Sequence, residues 1–172
     1  MNASLVITAI GPDRPGIVES ISDVGQRFGA NWAGSRMASL AGQFAGMVHF
    51  EVAESKAAAL EEALRALESQ GLRITVTRGG GAAAKAPARI VHLEMMGHDR
   101  PGIVHELSES LAHRGVSIED LHTQVASAAM AGGPLFKVRA RLAVPASLSD
   151  ADLKRALEAL ANEMMVDLEG AG

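Results

Sequence analysis

The sequence contains no cysteine and no tyrosine, and its aromatic residues are four Phe and one Trp among 172 residues. The absence of cysteine excludes disulfides, thiolate zinc sites, iron–sulfur clusters and thiol nucleophiles. So few aromatic rings provide no platform for stacking single-stranded bases. No run of Lys or Arg occurs, the net charge is −4 and the isoelectric point is near 5.8. That balance argues against direct nucleic-acid binding, which needs a basic face to displace counterions. Long apolar runs are missing too, so no membrane span is expected. The first residues lack the basic stretch of a secretory signal, which makes a cytoplasmic protein the expectation. The H-E-x-x-H and G-x-S-x-G signatures do not occur, and Lys85, beside the glycine run, lacks the Gly-Lys-Ser/Thr context of a phosphate loop. No catalytic residue, metal site or cofactor is therefore expected. His98 and His105 have six residues between them in sequence, without the spacing that sets two ligands on one helical face.

What the chain does contain is a repeat. Gly11-Pro12-Asp13-Arg14-Pro15-Gly16-Ile17-Val18 returns as Gly97-His98-Asp99-Arg100-Pro101-Gly102-Ile103-Val104, identical at seven of eight positions and offset by 86 residues (97 − 11). Later landmarks, Phe44 and Phe136, are offset by 92 (136 − 44), so the second copy carries six extra residues, expected in a loop at Ala128–Pro134. Between the copies, residues 79–88 are rich in Gly and Ala, without hydrophobic period, and read as a flexible linker. The expected domains are 1–78 and 89–172.

Each copy alternates strand and helix patterns. Leu5–Ile10 reads as a strand, Ile17, Ile21, Val24 and Phe28 as one face of a helix, and Trp32–Leu40 and Met47–Val52 as a strand pair. A second helix carries Leu60, Leu64 and Leu67 and stops at Gly71, before a last strand with Ile74 and Val76. The second copy repeats this order. The alternation in Phe136–Leu142 puts Lys137, Arg139 and Arg141 on the outer side, where they are read as solvated or as facing an acidic partner. The expected fold is α+β: two tandem ferredoxin-like βαββαβ domains, each an antiparallel sheet with two helices on one face.

The repeated Asp-Arg-Pro-Gly falls between a strand and a helix. Pro15 and Pro101 suit the first helical position, and Gly16 and Gly102 leave the backbone open to close approach. The first turn then presents free N–H groups at the positive end of a helix dipole, suited to a carboxylate. Asp13 or Asp99 can meet an ammonium group, so the loop fits an α-amino acid. The competing reading is that each Asp caps its own helix.

These residues resemble ACT domains, small amino-acid-sensing modules of metabolic regulation, in which strand–G-x-D-R-P-G-I-V–helix is a recognisable form. The tandem arrangement is similar to free-standing, repressor-like double-ACT regulators. The resemblance implies a small amino-acid ligand, with glycine favoured, a protein partner such as a transcription activator, and a homodimer. A regulatory subunit of an amino-acid metabolic enzyme is the alternative. Similar loops precede the catalytic domains of formyltetrahydrofolate deformylases, but both halves of this chain are spent on ACT-like units. In such domains ligand sits between the first loop of one module and the second strand of another. Carried over, this selects Asp13, Arg14, Gly16, Ile17, Val18 and Asn31, and His98, Asp99, Arg100, Gly102, Ile103, Val104 and Ser117. Ser117 stands where an Asn is common in the family, so the two halves need not bind alike.

Overall fold

A computed structural model describes residues 1–79, 88–128, 133–160 and 165–170. The chain forms two compact units, Met1–Ala83 and Ala84–Gly172. Most of the stretch read as a linker, and residues 129–132 of the expected insertion, lie outside the described residues.

The first unit runs β1 (Asn2–Pro12), α1 (Ile17–Arg27), β2 (Asn31–Leu40), β3 (Gln43–Ala53), α2 (Glu54–Arg65) and β4 (Arg73–Arg78). The second runs β5 (Ala88–His98), α3 (Ile103–His113), β6 (Ser117–Ala128), β7 (Gly133–Pro145), α4 (Asp150–Leu160) and β8 (Met165–Gly170). Each unit is one four-stranded antiparallel sheet, ordered β2-β3-β1-β4 and β6-β7-β5-β8. This is the βαββαβ sandwich expected from the sequence, built twice.

Period-2 alternation decides which residues of each sheet meet the helices. In β1, Leu5, Ile7 and Ala9 are buried, and in β3, Phe44, Val48, Phe50 and Val52. Ile17, Ile21 and Val24 from α1 and Ala57, Leu60 and Leu64 from α2 close this core. The second core has the same plan, with Val91, Leu93 and Met95 beneath Ile103, Leu107, Leu111, Leu153 and Leu157.

The helix crossings are filled differently. A Cβ on Gly25 would lie 2.7 Å from Cε1 of Phe50, so α1 approaches the sheet through a residue with no side chain. Leu111 and Leu142 occupy the equivalent positions of the second module, replacing a small–large pair by two of middle size. Trp32 packs edge-on against Phe50, with ring centroids 5.3 Å apart.

Two sequence expectations need correction. Pro15 and Pro101 do not open their helices, which start at Ile17 and Ile103 behind the N-cap residues Gly16 and Gly102. Those glycines have φ of 90° and 93°, ψ near zero, the third-position geometry of a type II turn with proline before it. The six extra residues of the second copy do not all form a loop. Strands β6 and β7 are each two residues longer than β2 and β3, which accounts for four of the six.

Candidate functional site

The loop after β1 is fixed by its neighbours in the sheet. The Asp13 N–H donates to the carbonyl of Gly42 at 2.9 Å, and the Asp99 N–H to the carbonyl of Pro134 at 3.0 Å, so each loop rests on the β-hairpin beside it. The first helical bonds run from Ser20 N–H to Gly16 and from Glu106 N–H to Gly102. Residues 17–19 and 103–105 therefore have no acceptor within their own helices, and no side chain caps either one. A glycine N-cap in the left-handed region leaves the first turn uncovered.

Asp13 does not cap α1. Its Oδ2 accepts a hydrogen bond from Ser39 Oγ at 2.6 Å, which turns the carboxylate toward β2. Ile17 and Ile103 point into the cores, 2% and 5% exposed, so only their backbone N–H groups face the loop. Val18 and Val104, one residue on, are 46% and 40% exposed, an apolar residue retained on the surface in both copies.

The two arginines are held differently. Arg14 Nη2 donates to the carbonyl of Gln70 at 3.1 Å and lies 3.4 Å from its Oε1, reaching the turn that ends the α2 segment. Arg100 makes a bidentate pair with Glu106, at 2.7 and 2.6 Å. The hydrogen bond from Arg100 holds the Glu106 carboxyl below its ordinary value, and the same pair raises Arg100. Ser20 occupies the place of Glu106 in the first module and donates to the carbonyl of Gly16 at 2.9 Å. A Cβ on Gly102 would stand 3.7 Å from Glu106 Oε1. The second loop thus holds a carboxylate of its own on its arginine.

Asn31 and Ser117 are not beside the loops of their own modules. Asn31 pairs with Glu51, opposite Ser4, whereas Leu40 pairs with Gln43, opposite Pro12. Eight residues of strand, about 26 Å, separate those two levels. Ser117 is likewise at the level of Ile90, while His98 lies at that of Leu135 and Ala126. The neighbours of the first loop are instead Ser39, Gly42 and Gln70, which sequence reasoning missed. The Ser20/Glu106 difference was visible in the repeat alignment.

The outward basic residues of β7 are neutralised in part. Arg139 pairs with Glu94 at 3.0 Å and Arg141 with Glu119 at 3.4 Å, both on the sheet surface. Among the described residues no group of three His, Cys, Asp or Glu could hold a metal ion, and no helix is long and apolar enough to cross a membrane.

The described residues form two βαββαβ sandwiches in tandem, each with an uncapped loop-to-helix turn. The ACT domain profile matches residues 3–77 and 89–170, and the chain belongs to that family. A crystal structure of an unknown protein from Galdieria sulphuraria is similar over the whole of both chains, with 30% identity and a TM-score of 0.87. A structure described provisionally as a glycine cleavage system transcriptional repressor shares the fold over 99% of each chain, with 22% identity and a TM-score of 0.71. A search of curated proteins gives no match.

Proposed function

We propose that this chain is an amino-acid-sensing regulator, similar to glycine cleavage system repressors, that acts through a protein partner rather than on DNA. The observation that carries the reading is the uncapped first turn after Asp-Arg-Pro-Gly, kept in both modules. Three backbone N–H groups at a helix N-terminus suit a carboxylate, and Asp13 lies one loop away for the ammonium group. A small ligand, glycine first among those to test, suits a turn walled by Val18 and glycine backbone.

The positions of Asn31 and Ser117 require two modules for such a site. Antiparallel pairing of edge strands turns one module end for end. It then sets the start of one second strand beside the loop of the other. Strands β2 and β6 are sheet edges of ten and twelve residues, long for unpaired edges. The first loop is the ligand-accepting one in this reading, because Glu106 already supplies a carboxylate to Arg100 in the second. Regulation then follows linkage, with ligand favouring the arrangement of modules it binds best. A cytoplasmic homodimer without cofactor or enzymatic activity completes the proposal.

The test is a thermal-shift screen of the twenty amino acids. Ligand at about 100 times its dissociation constant adds about 2.7 kcal/mol, a rise of roughly 5–10 °C for a chain of this size. Val18→Asp places a competing carboxylate at the second helical position, where the dipole favours it, so the module folds and the shift is lost. Val104→Asp leaves the shift intact. A screen in which no amino acid moves the midpoint at millimolar concentration refutes the sensing reading. A shift lost with Val104→Asp and kept with Val18→Asp refutes the assignment to the first loop.

A further inference from the structure

Strands β7, β5 and β8 line a groove of about 460 Å³ on the side of the second sheet away from its helices. Two cross-strand rows of side chains shape it. In one, Met96 lies between Lys137 on β7 and Met165 on β8, and in the next, Glu94 lies between Arg139 and Asp167. Both cations therefore stand on the β7 side, both carboxylates on the β5 and β8 side, and the two methionines make one end apolar. At the equivalent positions the first sheet has Thr8, Ile10, Ala45, Met47 and Thr75, with Arg73 its single charge there. The opposed charges belong to the second module alone.

These charges are not all satisfied by one another. Arg139 reaches Glu94 at 3.0 Å, while among the described residues Lys137 and Asp167 make no ion pair or hydrogen bond. Glu94 and Asp167 face each other across β5 and β8, and like charges directly opposite one another destabilise a sheet. Lys137 and Asp167 are two strands and one two-residue step apart, about 12 Å between Cα atoms. The groove thus has an unpaired cation at one corner, an unpaired carboxylate at the opposite corner and Met96 between them.

We propose that this groove is a second ligand site, for an α-amino acid with an apolar side chain. The ligand ammonium lies between Asp167 and Glu94 and relieves their repulsion, its carboxylate meets Lys137, and its side chain rests on Met96 and Met165. Methionine is flexible and polarisable, so such a floor follows branched and unbranched side chains alike. Glycine leaves that floor uncovered. A carboxylate without an ammonium leaves Asp167 unpaired, and an amine without a carboxylate leaves Lys137 unpaired. The groove is open to water, so the dissociation constant is expected to be on the order of 1 mM. The site is independent of the loop after β1 and of what that loop binds.

Titration of the isotope-labelled full chain with L-leucine, followed by amide chemical shifts, tests it. Leucine is expected to move the amides of Met96, Lys137 and Asp167 along a saturating curve. Glycine leaves those amides in place, whatever it does at the loop after β1. Isopentylamine, which lacks the carboxylate, and isocaproate, which lacks the ammonium, each bind at least about fivefold more weakly than leucine. Lys137→Gln weakens leucine about fivefold and leaves isopentylamine unchanged, and Asp167→Asn weakens leucine about fivefold and leaves isocaproate unchanged. Arg73→Gln, on the first sheet, alters none of these. The amide spectrum itself confirms that each variant is folded. Leucine that moves no amide of β5, β7 or β8 at about 20 mM overturns the proposal, as does binding there that both Lys137→Gln and Asp167→Asn leave intact. Isocaproate binding as tightly as leucine also overturns it, because the carboxylates of the groove then take no part.

Discussion

Gly25 and Phe50 should show opposite responses to the same substitution depending on one another. A Cβ at position 25 would stand 2.7 Å from Phe50 Cε1 and 3.1 Å from Cζ, against about 3.5–4.0 Å for comfortable carbon contact. Phe50 is 1% exposed and held by Trp32 on one side, so its ring has little room to yield. Overpacking of this kind costs about 1–3 kcal/mol. Alanine in place of glycine in a helix returns about 1 kcal/mol. Gly25→Ala is therefore expected to destabilise the first module by about 1 kcal/mol net. In a Phe50→Leu background the clash is gone, and Gly25→Ala becomes stabilising by about 1 kcal/mol through helix propensity alone. The coupling between the sites is then about 2 kcal/mol. Urea unfolding followed by fluorescence measures it, because the single Trp, Trp32, belongs to the first module and reports that module's transition. If Gly25→Ala stabilises equally in both backgrounds, with coupling under about 0.5 kcal/mol, the close approach of α1 to the sheet is not what holds that glycine in place.

Two other substitutions follow from local geometry. Ala41, at φ 50°, is the one non-glycine residue with positive φ among the described residues, in the two-residue turn it shares with Gly42. Ala41→Asn creates the Asn-Gly pair that such hairpin turns favour and should raise the first-module midpoint by about 1–4 °C in a melting curve. Glu106 has its carboxyl lowered by Arg100, so the pair contributes stability that is present above the ordinary glutamate value of 4.5. The melting-point difference between the wild type and Glu106→Gln should be full at neutral pH. It should shrink as pH falls past 4.5 through the lowered folded value and vanish below it. A difference that persists in strong acid would show that the glutamine acts by packing rather than by charge.

The fold was legible because its signals are local and occur twice. Alternation in Phe136–Leu142 and helical spacing from Ile17 to Phe28 each need only a short window, and the repeat checked one reading against the other. The Pro-Gly turn was legible too, but was misread. Proline alone suits a first helical position, yet proline followed by glycine is the sequence of a type II turn, and Gly16 at φ 90° takes the role of N-cap. The longer hairpin of the second copy escaped because an offset of six counts extra residues without saying whether strands or loop absorb them.

The candidate site was less legible because its partners are distant in sequence and differ between the copies. Arg14 and Arg100 stand in identical octapeptide contexts but for Pro12 and His98, yet one reaches Gln70, 56 residues on, and the other Glu106, six residues on. Nothing within the motif distinguishes them. The discriminating residue is the Ser20/Glu106 position two residues past its end, where the copies have drifted from a hydroxyl to a carboxylate. A similar limit applied to Asn31 and Ser117. The family resemblance places them at a ligand, and sequence distance from Gly16 or Gly102 makes them look close to it. Because β2 runs parallel to β1, the start of β2 lies level with the start of β1, and the loop follows the end of β1. The same topology that makes each module compact therefore separates the two halves of the proposed site. A ligand needing both can be held only where a second module meets the first, which ties recognition to assembly.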